Sequence, residues 1–316
     1  MAGSSCQRSH SMFYGSIVAL VTPFTSNGEI DLKALKILID FHREAGTRAL
    51  VVGGTTGESA TLSQTEFRSL ISASVRLAEG KIPIIAGSGS ASTSHTIEQS
   101  IEAQSIGAEA VLVVTPYYNR PTQAGLVAHY TAVADAISIP LLMYNVPSRT
   151  SVDLEPETAC ALAGHDGIIG LKEAVGDLQR VAQLVNGSPK DFIVLSGDDP
   201  TCLEAMKLGA KGVVSVASNV AAWPMSQMCD YAMEGNWQQA ETINESLGNL
   251  YQALALETNP IPVKWAAYEM GLIGPAIRLP LTVLNEKFRG AITECLNELK
   301  ISRESNECKS TVNACE

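Results

Sequence analysis

The sequence predicts an α/β fold, a (β/α)8 TIM barrel with a C-terminal helical appendage. Three observations carry the prediction. Eight short, β-branched apolar runs, at residues 16–21, 49–52, 82–86, 110–114, 140–144, 167–171, 192–195 and 212–216, alternate with longer amphipathic segments. The runs are apolar throughout rather than at every second residue, which suits parallel strands covered on both faces. The count stops at eight, with about 28 residues per βα unit, so the sheet closes on itself instead of extending as an open doubly wound sheet.

The connecting segments carry helix signals in the expected places. Asp31 opens the first, in which Leu32, Leu35, Leu38 and Ile39 share a face. Ser63 opens the second, and Glu66 three residues later forms a capping box ahead of Phe67, Leu70, Ile71 and Val75. Beyond Val216 the strand signal ends. Residues 223–300 read as helices broken at Asn259-Pro-Ile-Pro262 and again at 271–275. The barrel therefore spans 12–222 and the appendage 223–300, between a disordered tail at 1–11 and a polar tail at 301–316.

Composition narrows the function. The 316 residues are 46% hydrophobic, 17% charged and 5% aromatic, which is a globular balance and excludes a disordered or collagenous chain. Thirty-three acidic against 22 basic residues leave a net charge of -11, so neither nucleic acid nor an anionic membrane is the expected partner. No run approaches the length of a membrane span. Residues 12–24 resemble a short signal sequence, but no cleavage site follows, and Pro23 and Gly28 read as a strand end and a turn. The seven cysteines are odd in number and scattered, as reduced thiols of a cytoplasmic protein would be. His10, His42, His95, His129 and His165 are isolated from one another, so no metal site and no Ser-His-Asp or Cys-His scheme is expected.

In a barrel of this kind chemistry sits at the C-terminal ends of the strands and in the loops that follow. Lys172 ends the sixth run and should project its amine into the barrel mouth, where burial disfavours the ammonium form. An unprotonated lysine is a nucleophile toward ketones and aldehydes. The plainer reading is an ordinary strand-end lysine paired with Glu173. Tyr144, at the matching end of the fifth run, is either a proton donor and acceptor beside that amine or a core tyrosine. Thr55 and Thr56 stand in a glycine-rich loop that either holds a carboxylate or simply leads into a helix. Arg149 is either a fork for a second carboxylate or a solvated surface charge. Gly87-Ser88-Gly89 lacks both the third glycine and the lysine of the nucleotide-binding loops.

Taken together, these positions resemble the lysine-Schiff-base aldolases and lyases, the superfamily of N-acetylneuraminate lyase and the dihydrodipicolinate synthases. The shared motifs run in order through residues 12–299: GTTGE at 54–58, TPYYNRPTQ at 115–123, YNVPSRT at 144–150, Lys172 28 residues after Tyr144, SGDD at 196–199 and ETNPIPVK at 257–264. The longer motifs are similar to the dihydrodipicolinate synthase branch in particular. That resemblance implies an imine between Lys172 and pyruvate, with no separate cofactor. Thr55, Tyr144 and Tyr118 would form a proton relay, and Tyr118 would reach into a neighbouring subunit. Thr56 would hold the pyruvate carboxylate and Arg149 that of L-aspartate 4-semialdehyde, while Gly197 and Val214 line the pocket. The product would be 4-hydroxy-tetrahydrodipicolinate, in the diaminopimelate route to lysine, and the assembly a homotetramer built as a dimer of dimers.

The resemblance also implies an inhibitory lysine site at Ser59, Ala60, Ala91, His95 and Tyr117. There the chain departs from the family pattern, with His95 where an acidic residue commonly grips the ammonium and Ala91 where an amide is common. Weak or absent inhibition by L-lysine is therefore expected. Two other functions fit the same sequence features: a sibling lyase acting on a sugar acid or hydroxy-oxo acid, and a catalytically silent barrel that needs no free amine at Lys172.

Overall fold

Strand closure organises the chain. In the computed structural model, which describes residues 10–300, eight parallel strands pair in sequence order and the first pairs with the last. They are β1 (Gly15–Ala19), β2 (Ala49–Val52), β3 (Ile84–Gly87), β4 (Ala110–Val114), β5 (Leu141–Asn145), β6 (Ile168–Glu173), β7 (Ile193–Ser196) and β8 (Gly212–Ser215). Closure satisfies the backbone groups that an open sheet leaves at its edges. Alternation then divides the strand side chains between two cores. Ile17, Val51, Ile85, Leu112, Leu142, Leu195 and Val214 fill the barrel interior, while Val18, Leu50, Val111, Met143 and Val194 face the surrounding helices.

Seven of those helices follow their strands: α1 (Leu32–Glu44), α2 (Gln64–Ala78), α3 (Thr93–Ile106), α4 (Gln123–Asp135), α5 (Pro156–Leu162), α6 (Leu178–Gly187) and α7 (Cys202–Lys207). Asp31 caps α1 by accepting from the N–H groups of Lys33 and Ala34, and both halves of the Ser63–Glu66 capping box close over α2. The eighth, α8 (Ala222–Met233), packs against β1. It is a barrel helix, so the boundary drawn at 222 falls at its start rather than at the end of the barrel. Among the described residues no ninth strand follows α8, and counting strands therefore could not find where the last unit ends.

The appendage proper is α9 (Trp237–Ala253), α10 (Ile261–Glu269) and α11 (Glu286–Glu298), with α9 against α8 and α11 against both of the others. The predicted breaks fall at the ends of α10, which the cis Asn259–Pro260 peptide precedes. The predicted tails lie outside the described residues apart from 10 and 11, as do Cys6, Cys308 and Cys315. The four described cysteines are free thiols. No described helix is long and apolar enough to cross a membrane.

A buried ion pair ties the appendage to the barrel mouth. Lys264 of α10 meets Glu58, in the loop after β2, with side chains 4% and 0% exposed. The second Glu58 oxygen accepts from the Arg278 N–H at 3.0 Å. The Arg278 guanidinium donates to the Thr61 carbonyl at 2.8 Å and pairs with Glu66. The Phe24 ring lies beneath both cations, 4.5 Å from Lys264 Nζ and 4.2 Å from the guanidinium carbon. Burial pulls the Lys264 amine below the usual lysine range, and Glu58 opposes that pull.

Removing one member of such a pair leaves the other charge buried without its counter-ion. Lys264→Met is expected to destabilise the protein by about 3–5 kcal/mol in urea unfolding, and adding Glu58→Gln to recover part of the loss. An unchanged urea midpoint in the single variant would show that the pair does not hold the appendage.

Candidate active site

The site begins with an irregularity in β6. Leu141 of β5 stands opposite Ile168, yet the next residue, Leu142, stands opposite Gly170, so Ile169 is an extra residue in β6. Alternation shows its effect: Ile168 faces the helices, Ile169 the barrel interior, and Leu171 the helices again. Without the bulge Lys172 would share the outward face of Ile168, whereas with it Lys172 turns inward. Gly170 makes room for this. A Cβ there would lie 2.4 Å from the Ile193 carbonyl oxygen and 2.8 Å from Leu142 Cδ2.

Lys172 is 4% exposed and stands in register with Tyr144, its Nζ 4.3 Å from the centre of the Tyr144 ring. Its amine has no ion pair and no hydrogen bond among the described residues. Pairing with Glu173 is thereby overturned, because Glu173 points to the other face and is held by Arg180 at 2.7 Å. Gly197, at the end of β7, touches the lysine stem closely enough that a Cβ would come within 2.8 Å of Lys172 Cε. Val214 of β8 faces the same interior.

The two proposed carboxylate holders are joined by a residue to which the sequence assigned no role. Asn259 donates its amide to Thr56 Oγ1 at 3.0 Å, and Arg149 donates to the Asn259 carbonyl at 3.1 Å. Thr56 is buried, whereas Arg149 is exposed and meets no carboxylate among the described residues. Asn259 lies within the quoted motif 257–264, but spacing alone does not reveal that the turn before α10 folds over the loop after β2. Thr55 is half-buried. The hydroxyls of Thr55, Tyr144 and Tyr118 have no hydrogen-bond partner among the described residues. Tyr118 is 92% exposed and holds a left-handed backbone, φ +73°, that is rare for an aromatic residue.

Ser59, Ala60, His95 and Tyr117 gather around a separate cavity of about 210 Å³, together with Gln99. Ala91 does not line it, and its carbonyl accepts from Asn119 at 2.8 Å. Glu98, 3.6 Å from His95 Nδ1, also lies outside the lining. No group of three or more metal-ligating side chains occurs among the described residues.

Fold and site together set a buried amine at the mouth of a (β/α)8 barrel. The chain belongs to the dihydrodipicolinate synthetase family, whose profile matches residues 12–299. It is 50% identical over 291 residues to the 4-hydroxy-tetrahydrodipicolinate synthase of Shewanella frigidimarina, covering 92% of this chain and 99% of that protein. It is 51% identical over 288 residues to that of Ectopseudomonas mendocina, covering 90% and 99%. Among solved structures, the chloride-inhibited dihydrodipicolinate synthase of Acinetobacter baumannii in complex with pyruvate aligns with a TM-score of 0.90 at 48% identity, over 91% of this chain and 99% of that one.

The bulge is open to a direct test. Gly170→Ala is expected to cost about 1–3 kcal/mol in unfolding, from overpacking against β7 and β5. By displacing Lys172 it should also lower kcat roughly tenfold or more. An alanine variant as stable and as active as the parent would show that the bulge does not need glycine.

Proposed function

We propose that this chain condenses pyruvate with L-aspartate 4-semialdehyde through an imine on Lys172 and releases 4-hydroxy-tetrahydrodipicolinate. The observation that carries the reading is the buried Lys172 amine, free of any carboxylate among the described residues and seated over the Tyr144 ring at 4.3 Å. Family membership and the pyruvate complex of the Acinetobacter baumannii relative support the same substrate.

The chemistry follows from that geometry. The Lys172 amine attacks the pyruvate ketone through its nitrogen lone pair, and Tyr144 shuttles the protons by which the carbinolamine loses water to become an imine. The protonated imine is the electron sink, so no separate cofactor is required. Loss of a methyl proton gives an enamine, whose carbon adds to the aldehyde of the second substrate. That substrate's own amine then displaces Lys172 by transimination, closing the ring and freeing the enzyme. Thr56 and its loop hold the pyruvate carboxylate. Arg149, anchored on the Asn259 carbonyl, keeps donors free for the second carboxylate and orients the aldehyde.

Tyr118 completes the relay from a neighbouring subunit, which accounts for its exposure and its strained backbone in a single chain. The family resemblance extends this to a homotetramer of two such dimers. We place it in the cytoplasm, where the four described cysteines, all free thiols, suit a reducing environment. The route it serves is diaminopimelate and lysine biosynthesis. L-lysine is a weak effector or none, because His95 gives its ammonium no anionic partner in the cavity shared with Ser59, Ala60 and Tyr117.

Borohydride reduction in the presence of pyruvate is expected to leave a stable pyruvate adduct on the peptide containing Lys172. An unmodified Lys172 peptide would defeat the aldolase reading. In steady-state assays L-lysine at micromolar concentrations is expected to leave the rate unchanged, and half-inhibition in that range would overturn the assignment of His95.

A further inference from the structure

On the face of the sheet opposite Lys172 and Tyr144, one rung further along, lies a polar cluster to which the reaction above gives no part. Asn145 and Glu173 are register partners immediately after Tyr144 and Lys172. The Asn145 amide nitrogen donates to both Glu173 oxygens, at 3.2 and 3.1 Å, and to Asp153 at 2.8 Å. Its amide oxygen accepts from the Leu154 N–H at 2.9 Å. Arg180, in the first turn of α6, donates Nε to Glu173 at 2.7 Å and both terminal nitrogens to Asp153, at 2.9 and 2.8 Å. Its side chain is 11% exposed and that of Glu173 is fully buried.

We propose that Arg180 is a positioning residue that sets the Lys172 amine over the Tyr144 phenol by clamping the ends of β5 and β6 in register. The inference rests on the imine reading of Lys172. Its physical basis is the rigidity of the fork. One planar guanidinium binds two carboxylates, one on β6 and one on the segment leaving β5, through three directed, charge-assisted bonds. Neither strand end can slide or twist without breaking one of them. The backbone carries the constraint to the reacting groups, because Lys172 and Glu173 are consecutive, as are Tyr144 and Asn145. The Glu173 carbonyl also accepts from the Gly197 N–H at 2.7 Å, which joins the end of β7, where Gly197 touches the lysine stem, to the same clamp. Burial raises the Glu173 carboxyl above its ordinary range and Arg180 draws it back, so loss of the guanidinium would leave two adjacent carboxylates with no cation between them.

Arg180→Lys keeps the charge and loses the fork. Its kcat is expected to fall on the order of 100-fold, as misplacement of a reacting group by about 1 Å would produce, while the KM for pyruvate stays within about threefold. Trapping of the pyruvate imine by borohydride in a single turnover should slow in proportion. Arg180→Ala should behave alike, and guanidinium chloride at millimolar, non-denaturing concentration should restore part of its rate where equal sodium chloride does not. A lysine variant with undiminished kcat and a lowered melting temperature would show that the cluster only stabilises, and would overturn the proposal. A loss in Arg180→Ala that guanidinium leaves untouched would do the same. If Arg180→Ala does not fold, Glu173→Gln decides: reduced kcat at constant KM supports the clamp, and unchanged kcat rejects it. Failure of the parent reading looks different, since wild-type enzyme would then take no pyruvate adduct on Lys172.

Discussion

One extra residue in β6 sets the direction of the group on which the proposed chemistry depends. Side chains along a strand alternate with period two, so the parity of a position decides whether it faces the barrel or the helices. Ile169 shifts that parity, sending Lys172 inward and Glu173 outward. Both consequences are needed. An inward glutamate would place a carboxylate beside the proposed imine, and an outward lysine would meet the Arg180 guanidinium that Glu173 holds. Gly170 permits the shift because no side chain fits between it and β7.

Around that point the molecule uses buried polar contacts to join layers that apolar packing alone would leave free to slide. Glu58 and Lys264 fasten the appendage to the loop after β2, while Asn259 bridges Thr56 and Arg149 across the same seam. Buried charges contribute little net stability compared with apolar residues of equal volume, but breaking them is costly, so they specify one arrangement strongly. The helical appendage is therefore part of the site's framework, because the turn that leads into α10 supplies the bridge between the two proposed carboxylate-binding positions.

Much of this was legible in the chain. Strand runs, the cap at Asp31 and the Ser63–Glu66 box are local signals, and each lies where the periodicity put it. The strand-end rule put Tyr144 beside Lys172, as their register and the 4.3 Å contact show. Less was legible where an interaction joins distant segments. Arg180 and Asp153 are 27 residues apart and Thr56 and Asn259 are 203 apart, and no spacing rule links them. The bulge did leave a trace, since a lone glycine inside a β-branched run often marks one. The strand-end rule aimed Lys172 into the mouth, but the need for an extra residue to turn it there was invisible, because an apolar run suits either face equally.

By itself the sequence determined the class of fold, the eight units of the barrel, the helix starts and the residue types at the mouth. Those follow from periodicity and from local hydrogen bonding, which act within a few residues. Only the tertiary structure decided by what irregularity Lys172 is turned inward, what holds Glu173, that α8 belongs to the barrel, and that Tyr118 stands bare on a single chain. These depend on register between strands and on contacts between segments far apart in the chain, which are set when the sheet closes and the helices pack upon it.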